Sequence, residues 1–354
     1  MRHPSPPLPQ TRAQLRAPLL ALPLALAAWA VSAASADTYS VLMNAPTLDR
    51  WNYPFNPTPG TRITASTFGN EPGAAIFDNR DGQFIVGFDT AARVPAGLGT
   101  ATYTITSCVV ELTYANDFVV EYDPTVDPYN AFLPPSDPEY AEDADAGQPI
   151  ELFGVGFRNG FSLLNWSETS PYGPGDPLQP SIRNAFALGT NAAGQWIDVS
   201  NSVRQRFTPQ PFAVGVIADL KPASLVPINT PIRFALDVTR PSVQEYLRTA
   251  VNAGRLRFTA SSLTKVVQQG GNFPVFYCRE NPLVTATGFG AARLEMTVVT
   301  QTCAAADLNC DGAVNAQDLA TLLSQWGTAG SADLNGDGAV GAPDIAVLLG
   351  AWSS

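Results

Sequence analysis

The chain of 354 residues has a single histidine, His3, and few basic side chains, with 20 Lys and Arg against 31 Asp and Glu. An apolar run from Ala17 to Val31, followed by Ala34-Ser35-Ala36, predicts a signal peptide that is cleaved after Ala36. The apolar run is short for a bilayer span, so no membrane span is expected in the mature chain. Cleavage leaves 318 residues with 17 basic and 31 acidic side chains, a net charge of −14 and no histidine.

The missing histidine excludes several kinds of active site. Ser-His-Asp and Cys-His hydrolases need an imidazole as their base, and many zinc and iron sites use histidine as a ligand. A net charge of −14 repels phosphates, so nucleic acid is not expected as a partner. Carboxylate chemistry and hard cations with oxygen ligands remain open, and both suit a secreted, extracellular protein.

Four cysteines follow the signal peptide, and an even number in an exported chain favours two disulfides. Three pairings are possible. We prefer Cys303–Cys310, which are close in sequence, together with Cys108–Cys278, which would crosslink the large domain. The alternative is that cysteines remain as free, buried thiols.

Residues 37–300 are predicted to form a mainly β domain, because β-branched apolar runs alternate with Gly, Pro and Asn breaks. Many strands with long Pro-rich connections favour a β-sandwich or jelly roll. The strands are expected at Thr38–Met43, Gln83–Phe88, Thr100–Thr113, Asp117–Tyr122, Pro149–Phe157, Phe212–Asp219, Pro231–Val238, Arg255–Ala260, Pro274–Cys278 and Ala292–Val299. One helix is expected to begin at Pro241 and to end before Gly254, with Val243, Leu247, Ala250 and Val251 on one face.

The segment 121–145 carries eight acidic residues and no basic one, and it is rich in proline. Its acids are Glu121, Asp123, Asp127, Asp137, Glu139, Glu142, Asp143 and Asp145. A solvated surface loop is the expected structure. The alternative is an additional calcium site or a cation-rich rim, and we can match the spacing to no calcium loop.

The carboxyl-terminal region contains a repeat with a period of 26 residues. The copies are DLNCDGAVNAQDLATLLSQW, from Asp307 to Trp326, and DLNGDGAVGAPDIAVLLGAW, from Asp333 to Trp352. Each copy starts D-x-N-x-D-G and has Asp at position 12, which is the arrangement of oxygen donors around calcium in an EF-hand-type loop. A glycine at position 6 allows the sharp turn. The predicted ligands of two calcium ions are Asp307, Asn309, Asp311, Ala313, Asn315 and Asp318, and Asp333, Asn335, Asp337, Ala339, Gly341 and Asp344, with position 7 acting through its carbonyl and position 9 through water.

The charges and apolar residues of this tail follow the same repeat. All six charged residues of 304–354 are aspartates at positions 1, 5 or 12. A short helix is expected after each loop, with an apolar stripe at 3, 4 and 7 spacing. The stripes are Leu319, Leu322, Leu323 and Trp326, then Ile345, Leu348, Leu349 and Trp352. The two helices should pack on each other with the metal in place.

These duplicated loop–helix units resemble dockerin type I modules, which attach secreted glycan-degrading enzymes and carbohydrate-binding proteins to cohesins. The resemblance implies a linker at 301–306, a small all-α calcium-binding module at 307–354, and a cohesin-like or cell-surface partner. Positions 10 and 11 of each loop, which usually carry Ser or Thr for cohesin recognition, are Ala316-Gln317 and Ala342-Pro343 here. Cys310 lies inside the first loop and could join it to the linker through Cys303.

Two stretches of the large domain resemble secreted jelly-roll modules of the DNRLRE or carbohydrate-binding type. They are Phe84-Ile-Val-Gly-Phe-Asp-Thr with Arg93-Val-Pro-Ala-Gly, and Asp198-Val-Ser-Asn-Ser-Val. The aromatic residues proposed to bind a sugar are Trp51 and Tyr53, then Trp166 with Tyr172, and then Trp196. The alternative for each is a place in the core.

The leading hypothesis is a secreted calcium-binding protein with a dockerin-like tail, whose β domain binds carbohydrate or a surface partner in extracellular polysaccharide use. No catalytic motif is present. One alternative is a glycoside hydrolase or polysaccharide lyase, which would use two carboxylates. Asp49, Glu121, Glu151 and Glu168 are the candidates. The other alternative is a structural protein of the cell surface.

Overall fold

Antiparallel β-strands provide most of the regular structure in the computed structural model, which describes residues 36–70, 76–266, 272–301 and 303–353. The predicted signal peptide lies outside these ranges, except for its last residue, Ala36, which begins the first strand. Across the described ranges, every helix is too short or too polar to cross a membrane.

The strands and helices are joined by turns and by two long irregular segments, 114–150 and 158–184. The strands are β1 (Ala36–Met43), β2 (Leu48–Asn52), β3 (Thr64–Ser66), β4 (Phe68–Gly69), β5 (Arg80–Asp89), β6 (Tyr103–Thr113), β7 (Glu151–Phe157), β8 (Ala185–Thr190), β9 (Trp196–Asp198), β10 (Ala213–Val214), β11 (Pro231–Ala235), β12 (Arg255–Ser261), β13 (Val275–Tyr277) and β14 (Arg293–Gln301). The α-helices are α1 (Pro241–Asn252), α2 (Pro282–Thr287), α3 (Ala316–Ser324) and α4 (Ala342–Gly350), and 3-10 turns lie at Thr100–Thr102 and Tyr129–Phe132.

The strands form two main sheets and one small one. The first has the order β1-β14-β6-β11. The second has the order β2-β5-β12-β7-β8-β9, with β10 beside β7 and β4 beside β5. Strands β13 and β3 form a separate pair. The pairings between these strands are antiparallel, which confirms the prediction of a mainly β domain.

One hydrophobic core contains side chains from both main sheets. Strand β14 alternates buried and half-buried residues, as a strand with one face toward a core should, and it contributes Leu294 and Val298. Strand β5 is buried at nine of its ten positions, because β2 and β12 flank it and other chain segments cover its faces. Its Phe84 and Phe88 join the same core. The two sheets therefore share the apolar interior of the large domain.

Helix α1 confirms the prediction made from its apolar spacing. Pro241 occupies the first helical turn, and the four predicted residues of one face are buried. Gly254 follows the helix with a φ of +72°, a conformation that glycine adopts without strain. The helix packs against β6 and β12, and the side chain of Gln244 donates a hydrogen bond to the carbonyl of Ile105.

Some strand predictions were wrong, mainly in the Pro-rich segments. The segment Asp117–Tyr122 is not a strand and makes only an isolated bridge between Glu121 and Leu225. The predicted strand Phe212–Asp219 is reduced to the two residues of β10. Strands β2, β3, β4, β8 and β9 and helix α2 are absent from the predicted set, because most are short and lack clear alternation. The remaining predicted strands are present, with ends shifted by a few residues.

The cysteines follow the predicted pairing in one case only. Cys303 and Cys310 form a disulfide, which confirms that prediction. The predicted bond between Cys108 and Cys278 was wrong, because both are free thiols buried in the main core. Cys108 lies on β6 opposite Met296 of β14, in a different sheet from the strand that precedes Cys278. Burial raises the pKa of the Cys108 thiol to about 12, so it stays protonated and acts as a small apolar side chain.

The tail has a hydrophobic core of its own. Val314 and Leu322 from the first copy of the repeat pack with Val340 and Leu348 from the second. Leu319 and Ile345 pack against this core and are partly buried. Each copy supplies the same positions, so the core of the tail repeats the symmetry of its sequence.

Candidate metal centre

The first aspartate of each repeat lies at the centre of its loop. Asp307 accepts backbone N–H hydrogen bonds from Asp311 at Oδ1 (3.1 Å) and from Gly312 at Oδ2 (2.9 Å). In the second copy, Asp333 accepts the equivalent bonds from Asp337 (3.1 Å) and Gly338 (2.8 Å). The chain between positions 1 and 6 therefore winds around one carboxylate in both copies.

The glycine at position 6 is required by the backbone conformation. Gly312 has a φ of +91° and Gly338 a φ of +97°. A Cβ atom at either position would meet nothing within 4 Å, so the requirement comes from the φ angle and not from crowding. The turn expected at this position from the sequence is present in both loops.

The position-12 aspartates connect each helix to its loop. Asp318 and Asp344 are fully buried. Asp318 accepts hydrogen bonds from the backbone N–H groups of Asn309 (3.1 Å) and Asn315 (2.8 Å). Asp344 accepts its bonds from Leu334 (2.8 Å), Asn335 (3.1 Å) and Gly341 (2.7 Å).

Burial raises the pKa of Asp344, but the backbone N–H groups of Gly341, Asn335 and Leu334 outweigh it and leave the pKa below its usual value. The start of helix α4 also favours a negative charge at this point. Asp344 is therefore held ionised beside its loop, which is the state that a metal ligand needs.

Position 3 makes the same contact in both copies, whereas position 9 differs between them. The amide nitrogen of Asn309 donates to Asp311 Oδ2 at 2.9 Å, and that of Asn335 donates to Asp337 Oδ2 at 2.7 Å. Asn315 at position 9 caps helix α3 by accepting a hydrogen bond from the backbone N–H of Gln317 (2.8 Å). Gly341 has no side chain, so the second loop offers one donor fewer.

The donor set of each loop fits calcium. Carboxylate, amide and backbone carbonyl oxygens are hard ligands, and a calcium shell takes six to eight of them in flexible geometry. Asp307, Asn309 and Asp311 in the first loop and Asp333, Asn335 and Asp337 in the second would hold the ion together with the carbonyls of Ala313 and Ala339. No base lies between residues 304 and 354 to neutralise these acids.

The apolar stripe predicted for the tail helices is only partly buried. Leu322 and Leu348 are inaccessible to solvent. Leu323 and Trp326 of the first copy are each 50% exposed, and Leu349 and Trp352 of the second are 52% and 40% exposed. Each copy thus places a Leu and a Trp, three residues apart, at the surface. We call these four side chains the tail apolar pairs.

The first proposed sugar site lies on β2 and in the turn after it. Trp51 stacks on Tyr53 with ring centroids 4.7 Å apart, and its indole N–H donates to the carbonyl of Ser66 at 3.0 Å. The guanidinium of Arg62 lies 5.2 Å from the Trp51 ring. Phe55 continues the row beside Tyr53 and is 50% exposed. Trp51, Tyr53 and Phe55 therefore form a row of rings, in which Phe55 has the most open surface.

Trp166 does not lie where a sugar could stack on it. Only 3% of its surface is exposed, and it packs in a small core with Leu48, Ile85 and Val155. The guanidinium of Arg50 lies 5.4 Å from its ring. This residue belongs to the interior, which corrects the prediction of a ligand-binding role. Trp196 is half-buried and borders a shallow apolar groove of about 270 Å³ beside Tyr246.

The carboxylates considered for a hydrolase are separated by the fold, except for Asp49 and Glu168. Glu151 is buried in an ion pair with Arg80 (2.5 Å), and Glu121 is exposed. Asp49 and Glu168 lie together, and Glu168 Oε1 accepts the backbone N–H of Asp49 at 2.8 Å. Burial raises the pKa of Asp49 to about 8, but only 2% of the residue is exposed. Glu168 is half-buried, and its Oε2 forms an ion pair with Arg279 at 2.6 Å.

Within the described ranges, two sets of three acidic residues have carboxylate oxygens within 4.8 Å of one another, and both lie in the β domain. One is Asp49, Glu168 and Glu280, and the other is Asp123, Asp127 and Asp145. The sequence analysis gave a calcium site in 121–145 as an alternative, but it identified neither group of three residues. The acidic composition of 121–145 was the available signal for the second set, and no sequence signal marked the first.

The chain was compared with family models, curated proteins and solved structures. No family model matches the chain, and neither a curated protein nor a solved structure matches it.

Proposed function

We propose that this is a secreted calcium-binding protein, with a dockerin-like tail that docks on a partner protein and a β domain that binds carbohydrate or a surface partner in extracellular polysaccharide use. The observation that carries the proposal is the repeated loop geometry. Asp307 and Asp333 each lie at the centre of a loop, and the buried Asp318 and Asp344 tie each helix to it. Duplicated loops of this composition are suited to two calcium ions.

The architecture proposed for the large domain is a β-sandwich of the jelly-roll type. The support is the shared core, in which side chains of both main sheets meet. The alternating burial along β14 is consistent with this arrangement, since each strand of a sandwich turns one face toward the core. Such a scaffold would leave the β2 turn, with Trp51, Tyr53 and Phe55, at one margin of the larger sheet.

The partner of the tail is proposed to bind the tail apolar pairs. Exposed tryptophans beside leucines are favourable at protein interfaces, since they bury much apolar area at little conformational cost. Cohesin-binding loops usually carry Ser and Thr where this chain has Ala316-Gln317 and Ala342-Pro343. The proposed partner is therefore a cohesin-like or cell-surface protein.

The calcium proposal is tested on the full mature chain by circular dichroism and calorimetric titration. Chelator should remove helical signal from the tail, and calcium should restore it, because the short helices α3 and α4 are marginal without the metal. Asp307→Asn with Asp333→Asn should abolish this response. An identical spectrum with and without chelator would refute calcium-dependent folding of the tail.

The carbohydrate proposal is tested by glycan-array screening of the mature chain. Binding to a polysaccharide should be lost in Trp51→Ala and weakened in Phe55→Ala, which alters a half-exposed side chain and is less disruptive to the fold. Trp352→Ala in the tail is the matched control and should bind normally. The sugar proposal fails if the chain binds no polysaccharide, or if both ring variants in the β domain bind as well as the wild type.

A further inference from the structure

Three aspartates of the acidic segment meet on one side of the β domain. The carboxylate oxygens of Asp123, Asp127 and Asp145 lie within 4.8 Å of one another. Asp123 is 3% exposed and Asp127 is 6% exposed, whereas Asp145 is open to solvent. The group therefore has two buried carboxylates and one that reaches it from the surface.

Both buried carboxylates have an oxygen without a hydrogen-bond partner. Oδ2 of Asp123 and Oδ2 of Asp127 are buried and accept no hydrogen bond. Asp123 Oδ1, by contrast, accepts bonds from the backbone N–H (2.8 Å) and the hydroxyl (2.7 Å) of Thr125. A buried carboxylate oxygen without a donor is costly, and two such oxygens in one cluster indicate that a cation belongs between them.

The surrounding chain is arranged to bring the three residues together. The hydroxyl of Thr125 also lies 2.9 Å from Oδ2 of Asp145, so it connects the buried and exposed acids. Gly147 has a φ of +107°, and a Cβ there would come within 2.9 Å of the Cβ of Asp123. Glycine at this position thus allows the segment that carries Asp145 to lie directly against Asp123.

Within the described ranges, the charges that act most strongly on Asp123 and Asp127 are all acidic. The acids that raise the pKa of Asp127, after burial, are Asp123, Asp143, Asp145 and Glu151. Of these acids, Glu151 forms an ion pair with Arg80 at 2.5 Å. That arginine is already matched by one carboxylate, so it does not compensate the three aspartates.

We propose that Asp123, Asp127 and Asp145 bind one calcium ion, at a site separate from the two loops of the tail. The site offers only oxygen donors, and its mixture of buried and exposed carboxylates leaves positions for water in the coordination shell. A calcium ion there would link Asp145 to Asp123 and Asp127, and would hold the acidic segment against the β domain. This proposal does not depend on calcium binding by the tail.

The other group of three acids also has two buried oxygens without a hydrogen-bond partner, Asp49 Oδ1 and Glu280 Oε2, but it contains its own cation. In that group, the guanidinium of Arg279 donates to Glu168 Oε2 (2.6 Å) and to Glu280 Oε1 (2.7 Å), and its backbone N–H donates to Asp49 Oδ2 (2.7 Å). The arginine supplies the positive charge inside the cluster. This contrast provides a matched control, because both groups contain a buried aspartate.

The experiment is isothermal titration of calcium into the full mature chain with the tail loops silenced by Asp307→Asn, Asp311→Asn, Asp333→Asn and Asp337→Asn. One site should remain, with a dissociation constant on the order of 10⁻⁴ M, as in other extracellular calcium modules. Adding Asp127→Asn should weaken that site at least about tenfold. Adding Asp49→Asn should leave it unchanged.

Thermal unfolding supplies a second readout. Calcium should raise the melting temperature of the β domain in the tail-silenced chain, because the ion binds the native state. It should not do so after Asp127→Asn, or after Asp145→Asn, which alters an exposed side chain and should not prevent folding. The proposal is overturned if the tail-silenced chain binds no calcium, or if binding survives both substitutions. If only the tail loops do not bind calcium, the unmodified chain should show a single calcium site, at Asp123, Asp127 and Asp145.

Discussion

The backbone N–H of Leu334 donates a hydrogen bond at 2.8 Å to Oδ1 of Asp344, which lies ten residues later at the start of helix α4. Asp344 therefore has two roles, as a predicted calcium ligand and as a link between the loop and its helix. Asp337, at position 5 of the same loop, is a predicted ligand whose residue lies at the surface. The two aspartates can be compared directly.

At saturating calcium, Asp344→Ala should lower the melting temperature of the tail more than Asp337→Ala. Each variant removes one predicted carboxylate ligand, but Asp344→Ala leaves three backbone N–H groups without their acceptor, whereas Asp337→Ala leaves only that of Ala339. Thermal circular dichroism at the helical wavelength measures the difference. Equal losses in the two variants would contradict the linking role of Asp344.

The buried pair of Arg183 and Asp78 should be important for stability. The guanidinium donates to Asp78 Oδ2 at 2.6 Å, and both side chains are almost inaccessible to solvent. Arg183→Met leaves the carboxylate buried without its cation, and the expected loss is about 3–5 kcal/mol in the free energy of unfolding. Urea denaturation measures it.

The exposed ion pair of Arg206 with Asp137 is the control for that measurement. Arg206 is 45% exposed, so Arg206→Met should change stability little. The double variant Arg183→Met with Asp78→Asn should recover part of the loss, since it removes the unpaired charge. A loss in Arg183→Met no larger than in Arg206→Met would count against the buried pair.

Asp49 should make the stability of the β domain depend on pH. Burial is the main cause that raises its pKa to about 8, with Glu280 and Glu168 adding to it and the backbone N–H of Arg279 opposing it. Because the folded-state pKa is above the unfolded-state value of about 4, the folded chain binds this proton more tightly. The stabilisation is complete below about pH 4 and is lost as the pH rises to about 8.

The variant Asp49→Asn isolates this contribution, because an amide keeps an acceptor for Arg279 but does not titrate. Between pH 5 and 8, the wild type should lose free energy of unfolding relative to the variant, by at most about 1.4 kcal/mol per pH unit. Denaturant unfolding of both proteins at several pH values provides the comparison. Parallel pH profiles would show that Asp49 does not titrate as expected.

The free thiols of Cys108 and Cys278 should be detectable by alkylation. In the native protein neither should react, because both are buried and burial raises their pKa values. In denaturant without reductant, both should carry the label, and Cys303 and Cys310 should carry it only after reduction. Peptide mapping by mass spectrometry distinguishes the four. Unlabelled Cys108 and Cys278 in the denatured, unreduced chain would indicate a bond between them.

The sequence predictions succeeded where the interacting residues are close together along the chain, and failed where they are far apart along it. Helix α1 was predicted correctly because its buried face consists of residues three and four apart, such as Val243 and Leu247. The turn at Gly312 was predicted because the loop closes on Asp307, five residues earlier. The prediction that Trp166 binds a ligand was wrong. This side chain is buried against Leu48, which is more than a hundred residues away along the chain.

The sequence by itself determined that the chain has one histidine, His3, is mainly β, and has a repeated tail of acidic loops and short helices. These conclusions follow from composition and from local spacing, where the interacting residues are neighbours in the chain. Only the tertiary structure decided that Cys108 and Cys278 stay apart, and that Asp123, Asp127 and Asp145 meet. The physical reason is that such contacts depend on how sheets and loops pack, and residue spacing carries no information about that packing.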